Sequence, residues 1–281
     1  MPSLLKSTLM TSAFLLAQHS FAMIPMVPKC NIQPTLENQA NLLHRVARIG
    51  KEDRRVIPPA LQKKFEATGS LGCGGMRNLT AQVTGKGNVI TTAGHTFFSK
   101  SCEPLGAKGC VFEVTVDGRK KTYKVKPETL KTGKCPRPDR NEDWATLQLE
   151  ASIDGVTPYD IPESDLFLNE GEQIMQISAH HVNFVVNNKT PKTMEECRIR
   201  GVFPGHTIPV QTDCDTGNTS SGSAQFVVRD KKMIFAAMNV AEVRGSDGKL
   251  TDGTEFDDQN FFNISVPVSG EFLRSIKEQM R

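Results

Sequence analysis

The sequence predicts an all-β fold of barrel or sandwich type that ends in one helix. Three observations point to it. From about residue 70 the chain runs through short apolar segments separated by turn residues. An Asp117-Gly118 pair sits between two alternating segments, and Asp-Gly accepts the positive φ angles of a type I′ hairpin turn. The final stretch then switches to a four-residue apolar period. Many short strands with few helices favour a closed or stacked sheet architecture.

The expected strands follow in order. Arg77 to Val83 alternates, and Gly85-Lys86-Gly87-Asn88 turns the chain into Val89 to Thr92. Val111 to Val116 and Lys121 to Val125 flank the Asp-Gly turn. Further strands are expected at Ala145–Leu149, Gln173–Ser178, Val182–Val186, Arg198–Phe203, Ala224–Val228 and Met233–Val240. Ser269 can cap a closing helix, Glu271 suits its first turn, and Phe272, Ile276 and Met280 share one face.

The N-terminus reads differently. Met1 to Ala22 has the form of a secretory signal: Lys6, an apolar middle from Leu9 to Ala17, and the small-residue site Ser20-Phe21-Ala22. This places the protein in a secreted or periplasmic setting; a buried N-terminal helix is the competing reading. Residues 23–48 carry no strand pattern. Asn38 to Ile49 has helical spacing at Leu42, Leu43, Val46 and Ile49, and Arg45, Arg48, Arg54 and Arg55 make the stretch a processing zone. It is either a propeptide or an N-terminal arm that stays attached.

The 281-residue chain is within range for one large all-β domain. Its net charge of +3, without a basic stripe, does not point to nucleic acid. No later run of about 18 apolar residues suggests a membrane span. The seven cysteines, Cys30, Cys73, Cys102, Cys110, Cys135, Cys197 and Cys214, form no Cys-x-x-Cys pair. Their dispersal fits disulfides in an oxidising compartment rather than a zinc knuckle. The odd count leaves one thiol over, pairs one between chains, or loses one with a propeptide, and Cys30 is the candidate. Connectivity is not deducible from spacing, but Cys73 with Cys102 and Cys197 with Cys214 are reasonable pairings.

Three segments carry chemistry. His95 closes Thr91-Thr92-Ala93-Gly94-His95 behind an apolar strand. Asp143 precedes the strand that starts at Ala145. Ser221 lies in Asp215-Thr216-Gly217-Asn218-Thr219-Ser220-Ser221-Gly222-Ser223-Ala224, among residues that turn the chain sharply. A serine hydroxyl needs a base to take its proton and an exposed, tightly turned position. A histidine supplies the base, and a buried carboxylate fixes its tautomer. Each residue alone has an ordinary structural explanation; the order His, Asp, Ser along the chain is what joins them.

On these motifs the chain resembles a trypsin-like (chymotrypsin-fold) serine endopeptidase, closest to the secreted bacterial glutamyl-endopeptidase branch. Ile49 to Val56 resembles the start of those mature enzymes, and Asp213-Cys214-Asp215-Thr216 is similar to a segment of that branch. The resemblance covers roughly residues 49–281. It implies two six-stranded antiparallel β-barrels, about 49–150 and 151–281, and a C-terminal helix. It implies peptide-bond hydrolysis through an acyl-enzyme, with His95 as general base, Asp143 as orienting acid and Ser221 as nucleophile. The amides of Thr219 and Ser221 would form the oxyanion hole. A protein or peptide substrate, no cofactor and a monomer are expected.

The pattern departs from the family at Thr219, where glycine is usual, and at Ser220, where trypsin-like zymogens carry Asp. Ala224 replaces a common Pro. A catalytically impaired protease-fold binding or adhesion protein is therefore the alternative reading. Asp215 stands where trypsins place the acidic floor of their primary pocket, although a structural role is equally expected. Ala236 to Val240 should line the opposite wall and pair with an extended substrate. Met238 or Asn239 falls near the wall position that holds a substrate carboxylate in glutamyl endopeptidases. His180, His181 and His206 lack ligand-spaced companions, so no metal site is expected. The loop Gly245 to Gln259 is acidic enough for calcium but reads as solvated. Asn78, Asn188, Asn218 and Asn263 begin glycosylation-type triplets.

Overall fold

A computed structural model describes residues 48–74, 79–135, 140, 142–179, 186, 191–202, 209–217, 219–244 and 253–281. The chain enters with β1 (Arg55–Val56) and a single turn α1 (Pro59–Gln62), then builds a first closed barrel. Its strands are β2 (Thr68–Cys73), β3 (Leu79–Val83), β4 (Val89–Thr92), β5 (Cys110–Val116), β6 (Arg119–Thr132) and β7 (Ala145–Leu149), in the spatial order β2-β3-β4-β7-β6-β5. The second barrel is built from β8 (Gln173–Ser178), β9 (Thr193–Gly201), β10 (Val210–Thr212), β11 (Ala224–Arg229), β12 (Lys232–Arg244) and β13 (Phe261–Pro267). Its order is β9-β10-β13-β12-β11-β8, and the β8–β9 pairing closes the ring. Every pairing in both barrels is antiparallel. The helix α2 (Gly270–Gln279) ends the chain. Two six-stranded barrels and a terminal helix are the expected fold.

The expected hairpin is present: Asp117 and Gly118 have φ of 48° and 74°, and Val116 pairs with Arg119. Closing a sheet into a barrel removes its edges and buries alternate residues inside. In β5 this appears as Cys110, Phe112, Val114 and Val116 turned inward. Several strands run past their expected limits. β6 continues through Pro127 to Thr132, where its pairing with β7 shifts between Lys126 and Lys131, so proline occupies an irregularity of the ladder. β9 begins at Thr193, five residues before the apolar alternation at Arg198 shows itself. Expected strand residues 182–185 lie outside the described residues, as do the signal and arm through residue 47.

One apolar core joins the two barrels. Phe226 of the second barrel packs against Phe65, Tyr159 and Phe235 at centroid distances of 6.2, 4.6 and 6.1 Å. Helix α2 ties the two together. Phe272 stacks on Trp144 of the first barrel at 5.5 Å and meets Phe235 of the second edge-on at 6.3 Å. Ser269 occupies the cap position without a side-chain cap hydrogen bond; the Gly270 amide is taken by Asp165 Oδ1 at 2.8 Å instead. The N-terminal strand β1 pairs with β9, so the entering chain adds to the second barrel.

The cysteines correct one expectation. Cys197–Cys214 is present, but Cys73 bonds Cys110 and Cys102 bonds Cys135. Cys73 and Cys110 are direct neighbours in the β2–β5 ladder, a pairing that sequence proximity to His95 did not reveal. Cys30 is the seventh cysteine and lies outside the described residues.

Candidate active site

The motif around His95 is legible as local geometry. β4 ends at Thr92, and Gly94 to Phe97 coil into a 3-10 turn. A Cβ on Gly94 would lie 2.7 Å from the Trp144 carbonyl oxygen. Glycine therefore lets this turn dock directly on the Asp143-Trp144 backbone. Asp143, fully buried, then meets His95 twice: its Oδ1 accepts from the His95 amide at 2.6 Å and its Oδ2 lies 2.9 Å from Nδ1. Two bonds from one carboxylate set both the backbone and the ring of His95, with Nδ1 as the anchored nitrogen. The ring is about a quarter exposed, so its other edge faces the surface.

A further group shares this carboxylate. Arg140 Nη1 lies 3.1 Å from Asp143 Oδ2, the same oxygen that faces the ring. Sequence reading missed it because only the turn between Arg140 and Asp143, closed by the Asp143 amide to the Arg140 carbonyl at 3.2 Å, brings it round.

The Ser221 loop is locked to the first barrel. The Thr80 amide donates to both the Thr219 and Ser221 carbonyls at 3.2 and 3.1 Å, and Thr80 Oγ1 donates to Thr219 at 3.0 Å. Gly222 has φ of +89°, and a Cβ there would sit 1.9 Å from the Thr80 carbonyl oxygen and 2.7 Å from Thr92 Oγ1. The loop thus lies against the end of the strand that leads to His95. Ser221 Oγ itself donates to the Val240 carbonyl at 3.4 Å, and among the described residues no hydrogen bond joins it to His95. Thr219 keeps out of the left-handed region, since among the described residues the non-glycine ones with positive φ are Cys102, Asp117, Arg140, Asp230 and Lys231. A β-branched residue avoids that region for steric reasons.

The expected specificity residues are placed otherwise. Asp215 is engaged by the entering chain: its Oδ1 accepts from the Ile49 amide at 2.8 Å and its Oδ2 from the Asp53 amide at 3.1 Å. It is a clasp for the entering chain. Its amide donates to Glu195 Oε2 at 3.1 Å, and Gln176 bridges Glu195 Oε1 and the Asp215 carbonyl. Burial pushes the Asp215 carboxyl up to about 7, against the nearby Arg54, which opposes the rise. Burial and the neighbouring Asp215 charge also push Glu195 well up. A cavity of about 470 Å³ adjoins this clasp, lined in part by Ile49, Asp53, Glu195 and Asp215, and not by His95, Asp143 or Ser221.

Met238 is fully buried in the core, where its sulfur accepts from Gln82 Nε2 at 3.7 Å. Asn239 is also buried and directs Nδ2 to the Ser220 carbonyl at 3.4 Å. The backbone around them pairs with β11 through Met238 and with β13 through Asn239, which leaves no room there for an added strand. From Ala241 to Arg244, β12 pairs with β13 alone among the described residues.

No metal centre emerges among the described residues. Glu195, Cys197 and Cys214 cluster, but both sulfurs are bonded to each other. His180, His181, His206 and residues 245–252 of the acidic loop lie outside the described residues, as do Asn78, Asn188 and Asn218. Asn263 is buried and bonds the Cys214 carbonyl and Thr216 Oγ1, so it offers no surface amide for a glycan. No helix among the described residues is long and apolar enough to cross a membrane.

Comparison with known proteins gives the fold its class. No family model and no curated protein matches the sequence. Among solved structures, a Glu endopeptidase in complex with MPD aligns with a TM-score of 0.60 at 15% identity, over 82% of this chain and 98% of its own. Neuropsin, a serine protease of mouse brain, aligns with a TM-score of 0.56 at 16% identity, over 81% and 99%. The two closed barrels and terminal helix are a chymotrypsin-like fold, that of the trypsin-like serine proteases.

Proposed function

We propose that the protein is a secreted serine endopeptidase that hydrolyses peptide bonds through an acyl-enzyme. The observation that carries the reading is the double hydrogen bond from Asp143 to the amide and ring of His95, in a fold shared with serine proteases. Ser221 exchanges its bond to the Val240 carbonyl for one to His95 Nε2 and attacks the scissile carbonyl. His95 takes the hydroxyl proton, then passes it to the leaving amine. Water enters by the same base and releases the acid, restoring Ser221. Asp143 holds the tautomer and stabilises the imidazolium. The amides of Ser221 and Thr219 face the developing oxyanion, each such donor being worth about 3 kcal/mol.

In this reading residues 1–22 are a signal peptide, 23–48 a propeptide or arm, and 49–281 the protease domain. The protein acts as a monomer outside the cytoplasm, in the periplasm or beyond the cell, where its three disulfides persist. The test is labelling by a fluorophosphonate probe together with a peptide-library digest. The parent should label and cleave, and Ser221→Ala should lose both by several orders of magnitude. Full activity in that variant removes the assignment.

The conformations of Thr219 and Ser221 favour one second reading, a protease-fold binding or adhesion protein without turnover. A processed protein that never reacts with the probe and cleaves nothing in the library selects it.

A further inference from the structure

We infer that Asn239 is a positioning residue for the oxyanion donor of Ser221: its side-chain amide holds the Ser220 carbonyl and so fixes which way the Ser221 N–H points. The inference deepens the protease reading and rests on it for its rate measurements, though not for its crystallographic one.

Three consecutive peptide groups surround Ser221, and they are tied differently. In the Thr219–Ser220 group, the Thr219 carbonyl accepts from the Thr80 amide at 3.2 Å and from Thr80 Oγ1 at 3.0 Å. The Ser220 N–H of that group donates to the Gly217 carbonyl at 2.8 Å. In the Ser221–Gly222 group, the Ser221 carbonyl accepts from the Thr80 amide at 3.1 Å, and the Gly222 N–H donates to the Asn239 carbonyl at 2.7 Å. Both groups are therefore pinned at both edges. The Ser220–Ser221 group lies between them. Its carbonyl accepts from Asn239 Nδ2 at 3.4 Å, and its N–H makes no hydrogen bond among the described residues.

A trans peptide is planar, with its C=O and N–H on opposite edges. Holding the Ser220 carbonyl on the Asn239 side turns the Ser221 N–H to the other side, where it is open to a substrate oxygen. If that hold is lost, this one plane can rotate about its two flanking bonds while its neighbours stay in place. The rotation puts a carbonyl oxygen where the donor is needed.

The rest of the Asn239 environment gives its amide no other task. The side chain is buried, and Oδ1 has no hydrogen-bond partner. An unpaired buried polar atom costs stability that an apolar side chain of similar shape avoids. The Asn239 backbone is satisfied without the side chain: its N–H donates to the Ser223 carbonyl at 3.0 Å, and its carbonyl takes the Gly222 amide. Its cross-strand partner on β13 is Ser265, whose Oγ is also buried and unpartnered, so the amide does not serve that strand. What the amide does engage is the Ser220 carbonyl, one atom away from the Ser221 nitrogen. A carbonyl accepts, so the nitrogen of the side chain faces it.

The experiment compares the parent with Asn239→Leu and Asn239→Val, which remove the donor and the unpaired acceptor together. Fluorophosphonate labelling of Ser221 should fall about ten- to a hundredfold in each, because an oxyanion donor loses its aim. For a peptide taken from the library digest, kcat should fall by a similar factor with KM little changed, since the donor acts on charge that develops in the transition state. The more stable of the two variants should have a urea midpoint equal to or above that of the parent, the opposite of what loss of a structural asparagine gives. Crystal structures of parent and variant should show the Ser220–Ser221 plane turned in the variant, with the planes on either side in place. The inference is overturned by a folded variant that labels like the parent, by a rise in KM with kcat unchanged, or by the same plane orientation in both crystal structures. Failure of both variants to fold overturns it too, since that assigns the amide to the fold. A parent that never labels, with the plane turned in the variant, overturns the protease reading and leaves the hold of Asn239 on the loop standing.

Discussion

Gly222→Ala tests how the Ser221 loop is held. The added Cβ falls 1.9 Å from the Thr80 carbonyl oxygen, whereas ordinary contact begins at 3.4 Å, so something must give by 3.4 − 1.9 = 1.5 Å. Both sides are backbone and cannot rotate away. The loop must lift off the start of β3, which loses the Thr80 amide bonds to Thr219 and Ser221, each worth about 1 kcal/mol net. Alanine at φ of +89° adds a further ~1–2 kcal/mol. The sum, about 3–4 kcal/mol, is among the larger single-residue effects. Urea denaturation followed by tryptophan fluorescence reads it, Trp144 being the only tryptophan and stacked on Phe272 at the barrel junction. Fluorophosphonate labelling of Ser221 should fall at least about tenfold in the same variant, because a displacement near 1 Å at a reacting group is costly. A variant within about 1 kcal/mol of the parent and labelling normally would refute the claim that the loop is wedged against Thr80.

Other outcomes follow from the same structure. Asp215 ionises near 3.8 in an unfolded chain and about 7 in the fold, so the folded state holds the extra proton between these values. Stability is then fully present below pH 3.8 and declines as pH rises through 7, by roughly 2–4 kcal/mol. Urea midpoints at pH 5 and 8 should show that decline, and Asp215→Asn should remove part of it, with Glu195 retaining the rest; equal slopes in parent and variant contradict the clasp. Phe272→Ala removes the ring that bridges Trp144 and Phe235 and should cost about 3–5 kcal/mol in chemical denaturation. Replacing Cys102 and Cys135 by serine opens a 33-residue loop and should cost about 2–4 kcal/mol, with a loss of labelling rate if that bridge holds the site. Gly94→Ala puts a Cβ 2.7 Å from the Trp144 carbonyl and should slow labelling more than it lowers stability, because the strain falls on the His95 turn.

The sequence by itself determined nine of the twelve barrel strands, all but β2, β10 and β13, together with the hairpin at Asp117-Gly118 and the terminal helix, and the chain order singled out His95 and Asp143. The strands, the hairpin and the helix are written in local pattern: alternation that matches the pleat, a dipeptide that accepts positive φ, and a four-residue period. Tertiary structure alone decided the partners of Cys73 and Cys102, because Cys73 and Cys110 are neighbours only once β2 and β5 pair. It also gave Asp215 the structural role that the sequence had left open beside that of a pocket floor, as acceptor for the Ile49 and Asp53 amides, an outcome that depends on where a segment 162 to 166 residues away enters the second barrel. Met238 and Asn239 went into the core for a similar reason, since only the assembled barrel sets β11 and β13 on either side of β12 there. Arg140 belongs to this second group. Its contact with the buried Asp143 carboxylate is set by the bond from the Asp143 amide to the Arg140 carbonyl, which local sequence pattern does not encode.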